Sequence, residues 1–180
     1  MKGRGKNVGR LAGIFGAFLV VATVLPAQSN QRIDEILSQE SITYGHAVYL
    51  LLTSQQAIPD DATPDEAHAL LEQGPANRSN VSYRIGGTSF TTRRLPQTPL
   101  GYPPDHPLTL GEFSRLTMET FGITGGMMYT ILPHPRYAAR ELAFRDVVQG
   151  RAYPRMSLSG ERALRIVGRV LALDEEGRLR

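Results

Sequence analysis

The chain contains no cysteine and no tryptophan. Without thiols there is no disulfide, no thiolate-held metal and no cysteine nucleophile. A bacterial lipid anchor, which is attached through a cysteine, is excluded as well. Aromatics make up 7% of the 180 residues against 41% hydrophobic, so the core has to be aliphatic. One domain of modest size must hold itself together by packing alone. Acid is also missing from one place: residues 1–27 carry Lys2, Arg4, Lys6 and Arg10 but no Asp or Glu. Setting those four aside leaves 16 Lys and Arg against 17 Asp and Glu, a net charge of −1. The formal charge of +3 therefore belongs to the front of the chain, and a general nucleic-acid surface has no basis.

Behind the basic start, Leu11 to Leu25 is an apolar run of 15 residues, the length of a signal-peptide core and short for a membrane span. Pro26 and Ala27 then supply a break and a small residue, so residues 1–27 read as a signal peptide cleaved after Ala27. An uncleaved signal anchor is the alternative, because Leu25 stands where Ala is more usual. The expected product is exported, in the periplasm or at the cell surface of a bacterium, with no stable membrane span after cleavage.

The rest reads as mainly all-α. Residues 28–74 form an N-terminal helical segment: a lead-in helix from Gln28 to Gln39, a helix capped by Thr43 and apolar on all sides, and a helix opened by Pro64 that ends near Gln73. Residues 75–107, rich in Asn, Ser, Thr, Gly and Pro, form an irregular connector with room for a small hairpin across Gly86-Gly87. Residues 108–173 form a second helical unit. In it Thr109 and Glu112 make a capping box, and the helix they open ends at Gly122. A loop with apolar content, Gly125-Gly126-Met127-Met128, is expected to tuck against the core. A helix from Arg136 to Gln149 closes at Gly150, and a last amphipathic helix is capped by Ser157 or Ser159. The tail, residues 174–180, is polar and expected to fray.

An apolar residue followed by Thr or Ser opens a helix three times, at Ile42-Thr43, Leu108-Thr109 and Leu158-Ser159. Repetition at this scale signals stacked helical units, each too small to bury its own face. These residues resemble the S-layer homology family. Tyr137 to Ala143 is similar to the family's first helix, Gly150 to Pro154 to its Gly- and Pro-bearing loop, and Leu158 to Glu161 to its capped second helix. Leu108 to Phe113 is similar to the cap of the preceding unit. The likeness covers residues 108–171, with a degenerate copy at 42–73. It implies stacked helix-loop-helix units that dock on cell-wall polysaccharide. The family's cap arginine, which contributes to glycan binding, is replaced by Leu110 and Gly160. Its Trp before the first helix and its Asp-Gly loop step are also absent.

No constellation for catalysis stands out. His46, His68, His106 and His134 show no metal spacing, so no metal site or cofactor is expected. Ser157 and Ser159 lack a nucleophile-elbow setting. Glu112, Glu119, Glu141 and Glu161 could supply a general acid for a cell-wall hydrolase, which needs two carboxylates or one in an apolar pocket; this is the least favoured reading. Arginines concentrate in the last third, eight of them between residues 136 and 169: Arg136, Arg140, Arg145, Arg151, Arg155, Arg162, Arg165 and Arg169. Arginine forks bind carboxylates, and anionic cell-wall polymers carry them; a solvated helix face is the plainer reading. If there is a ligand site, the residues at the loop end of the helix pair would form it: Arg136, Tyr137, Arg151 and Tyr153. The function expected is a non-catalytic envelope module that docks on anionic cell-wall polysaccharide or peptidoglycan. The alternative is an envelope subunit that binds another protein through an apolar helical face.

Overall fold

In the computed structural model, which describes residues 25–72, 81–85, 88–92 and 100–179, helices dominate as expected. They are α1 (Leu25–Ser38), α2 (Tyr44–Ser54), α3 (Pro64–Glu72), α4 (Leu110–Phe121), α5 (Met127–Ile131), α6 (Pro135–Phe144) and α7 (Gly160–Glu175). The expected hairpin is present: β1 (Val81–Ile85) pairs antiparallel with β2 (Thr88–Thr92), with Val81 opposite Thr92 and Ile85 opposite Thr88. Residues 1–24, where most of the expected signal lies, the Gly86-Gly87 step and the rest of the connector up to residue 99 lie outside the described residues. Helix α1 runs through Pro26 and Ala27, where a break was expected; proline is tolerated in a first turn, whose amides have no intrahelical acceptor.

The three cap segments meet in a closed ring of backbone hydrogen bonds. Tyr44 N donates to His106 O (2.8 Å), so the first cap leans on the loop before the second. Leu110 N donates to Met156 O (2.9 Å), so the second leans on the loop before the third. Gly160 N donates to Gln39 O (3.0 Å) and returns to the first. Two inner bonds tighten the ring, Ile42 N to Leu158 O (2.7 Å) and Leu108 N to Ile42 O (2.9 Å). The apolar residue of each cap, Ile42, Leu108 and Leu158, is buried at the centre. Around the ring α1 packs on α7, α3 on α2 and α6 on α4, while α2 touches both α4 and α7. One aliphatic core results, and a unit removed alone would leave its neighbours' apolar faces wet.

The same position in each cap does a different job. In the second cap the capping box forms as expected between Thr109 and Glu112. In the first, Thr43 makes no side-chain cap bond; its hydroxyl turns to His46 Nδ1 at 2.8 Å, and Gln39 Oε1 accepts from Thr43 N. In the third, Ser159 rather than Ser157 is the cap, and Ser157 Oγ instead bonds Ser41 Oγ. Three other expectations need correction. Helix α6 stops at Phe144 rather than Gln149, because Asp146 takes a left-handed conformation (φ 58°) that lets buried Val147 and Val148 both bond back to Leu142 O. Met127 and Met128 do not tuck inward: they start α5 and stand 76% and 52% exposed, while their neighbour Tyr129 packs against the core instead. The tail does not fray at Leu179, which is buried and whose carbonyl accepts from Arg145 Nη1.

Candidate functional site

A cavity of about 760 Å³ opens where the start of α6 and the loop before the third cap converge on the start of α4. Local chemistry fixes each wall. Pro135 sits in the first turn of α6, where no amide is missed, and His134 caps that helix by accepting from Arg136 N at 3.1 Å. Pro154 O accepts from Gly111 N at 2.8 Å and ties the loop to α4. A side chain on Gly111 would have no room: its Cβ would lie 3.0 Å from Pro154 O and 3.1 Å from Pro135 Cβ. The cavity therefore exists because a glycine lets two backbones approach.

The one carboxylate in the cavity wall is fully occupied. Glu112 Oε2 accepts from Thr109 N (2.9 Å) and Thr109 Oγ1 (2.7 Å), and its Oε1 accepts from the Tyr102 hydroxyl (3.0 Å). The hydrogen bond to Glu112, helped by burial, holds the Tyr102 hydroxyl above the usual phenol range. Tyr102 is further fixed by stacking on His106, with ring centroids 4.0 Å apart. Facing this set lie Arg136, Tyr153 and Arg155. Tyr153 is 68% exposed, and neither guanidinium forms an ion pair or hydrogen bond with another described residue. The wall thus offers two guanidinium groups with no partner among the described residues, and an open aromatic plate, beside a carboxylate already hydrogen-bonded by three donors.

Of the four residues singled out from the sequence, Arg136 and Tyr153 line this cavity. Tyr137 instead lines a second hollow of about 440 Å³, with Met127, Met128, Tyr129, Arg140, Glu141 and Phe144. Arg151 lines neither; its carbonyl is an acceptor for Arg162 Nη2. Sequence reasoning missed Arg155 and Tyr102. What relates their loops is a burial pattern of the fold, since the residues at the equivalent positions, Asp105 and Ala152, differ in type. The alternation of exposed and half-buried residues from Gly101 to Leu110 recurs position by position from Arg151 to Gly160.

The other arginines divide by what they touch. Arg145 pairs with Glu141 (3.0 Å) and reaches Thr124 O (2.7 Å); Arg162 bonds Gln149 O (3.0 Å); Arg165 pairs with Glu161; Arg169 reaches Asp146 O. These hold loops and helix faces together. The four glutamates weighed for hydrolysis are also engaged, Glu119 with Arg115 at 2.9 Å, and the remaining three as described. Among the described residues no group of three or more His, Cys, Asp and Glu could hold a metal ion, and no helix is long and apolar enough to cross a membrane. His68 bonds Tyr102 O at 2.9 Å, and His46 lies 3.4 Å from Glu35, so both serve the packing between helices. Comparison with family models, curated proteins and solved structures finds no match to this chain.

Proposed function

We propose that this chain is an exported, non-catalytic envelope module that docks on an anionic cell-wall glycan. The observation that carries this reading is the cavity beside α4, whose wall holds an exposed tyrosine plate and two guanidinium groups with no partner among the described residues. Apolar sugar faces stack on such a plate, and arginine forks donate two-point hydrogen bonds to carboxylates or phosphates. Glu112 is held back by three donors, and the two guanidinium groups in the same wall outweigh its single charge. In this reading the three caps, each leaning on the loop before the next, are the repeated step of S-layer-homology-like units. The site in this reading sits between the second and third units, and Arg136 and Arg155 stand in for the absent cap arginine.

The test is retention of residues 28–180 on purified sacculi with their attached polysaccharide, across a salt series. Among the described residues every buried core residue lies between Ile36 and Leu179, so this piece carries that core. Retention is expected to fall with salt, because exposed charges are screened within about 8 Å at physiological ionic strength. Arg136→Ala, Arg155→Ala and Tyr153→Ala should each weaken it about tenfold, at roughly 1.5 kcal/mol per charged hydrogen bond or stacking contact. Arg151→Ala should leave it unchanged. Absence of retention at low salt would refute the glycan reading.

A further inference from the structure

A different surface carries an inference of its own. Met127, Met128, Ile131 and Leu132 lie within six consecutive residues at 76%, 52%, 73% and 54% exposure, and Phe144 on α6 stands at 85%. Met127, Met128 and Phe144 share one hollow, so α5 and the end of α6 present a joint apolar surface. Isolated exposed apolar residues are ordinary, but a cluster of five large ones is not. Its border carries both signs, but only the basic one is unengaged among the described residues. Arg140 lines the same hollow with no partner among the described residues, and Arg136 lies one turn away on α6. The nearest acid, Glu141, is spent on Arg145 at 3.0 Å and on Gly126 N at 3.0 Å.

We propose that α5 and Phe144 form a wedge that inserts into the interfacial region of an anionic lipid bilayer, with Arg140 against the headgroups. A second copy of the chain fits less well. Two-fold packing of this face on itself would bring Arg140 near its own copy with no free carboxylate between them. A bilayer needs no matching shape, takes up protruding Met, Ile, Leu and Phe, and supplies the anion that Arg140 lacks. If the apolar run Leu11 to Leu25 is the signal proposed above, it would bring this chain to a membrane during export, or keep it there as an anchor.

The absence of tryptophan makes the test direct. Residues 28–180 carrying Ile131→Trp would be mixed with phosphatidylcholine vesicles, with and without phosphatidylglycerol. A blue shift of emission is expected on the phosphatidylglycerol vesicles and a much smaller one on neutral vesicles. Added Phe144→Ser should lower partitioning about tenfold through lost apolar burial. Added Arg140→Glu should lower it at least about fivefold through lost headgroup attraction. Both positions are exposed, and unchanged circular dichroism would confirm that the fold is kept. Unshifted emission on anionic vesicles would overturn the proposal. So would a vesicle-independent blue shift that grows with protein concentration, which would make a second copy the occupant. Partitioning unaffected by both added substitutions would overturn it too, by placing the contact elsewhere.

Discussion

Gly160→Ala should destabilise the fold sharply, while Gly168→Ala, eight residues along the same helix, should stabilise it. At Gly160 an added Cβ would sit 1.7 Å from Ile36 O, where a carbon and a carbonyl oxygen normally keep about 3.3 Å. Relief requires α7 to retreat from α1 by about 1.5 Å, and the obstructing atom is backbone that no rotamer can move. That retreat would break Gly160 N to Gln39 O, the bond that closes the ring of caps. Overpacking costs about 1–3 kcal/mol and a lost hydrogen bond about 1 kcal/mol, so a net loss of about 3 kcal/mol is expected. In a domain of this size that lowers Tm by about 6–12 °C. Gly168 is exposed in mid-helix with nothing within 4 Å of its added Cβ, so alanine there gains about 1 kcal/mol of helix propensity and raises Tm by about 2–4 °C. Thermal unfolding of residues 28–180 followed by circular dichroism reads both. If Gly160→Ala unfolds with or above the parent, α1 does not lie on the start of α7 and the closed ring is wrong.

Glu112→Ala removes the capping box of α4 and the acceptor of Tyr102; it should cost about 1–2 kcal/mol in denaturant unfolding, and the Tyr102 hydroxyl should titrate closer to the ordinary phenol value by absorbance. Burial pushes the Tyr44 and Tyr129 hydroxyls up to about 12, against 10 in the unfolded chain. Between those values the unfolded state sheds protons that the folded state keeps. Stability should therefore hold below about pH 10 and fall above it, by at most about 1.4 kcal/mol per pH unit for each tyrosine and less for half-buried Tyr129. The Tyr129 hydroxyl has no partner among the described residues, so Tyr129→Phe should leave neutral-pH stability equal or up to about 1 kcal/mol higher and make the alkaline fall shallower, as urea melts from pH 8 to 11.5 would show.

The caps and the helices were legible because local rules decide them. Thr109 with Glu112 and the stop at Gly122 satisfy orphan backbone groups from within a few residues, and the first-turn Pro64 removes one by having no amide hydrogen. The end of α6 was not, since nothing in the residues before Asp146 forbids another turn. What stops the helix is the burial of Val147 and Val148, a tertiary demand. Apolar Met127 and Met128 misled for a related reason. Hydrophobicity predicts a preference for burial, but a short helix between Gly126 and Pro133 has one inward face, and Tyr129 fills it.

The candidate site was half legible, and the division has a physical basis. Eight arginines look alike in sequence, yet a guanidinium becomes structural wherever a carbonyl that ends a helix or turn lies within reach. Arg145, Arg162 and Arg169 find such carbonyls at Thr124, Gln149 and Asp146. Arg136 and Arg155 sit instead at a helix start and in a loop whose carbonyls are already taken: Pro154 O by Gly111 N, and Met156 O by Leu110 N. The ring of caps consumes the local acceptors and leaves those two guanidinium groups facing the cavity. Which arginines are free to meet a ligand is thus set by the same hydrogen bonds that close the fold, and these join residues more than forty positions apart.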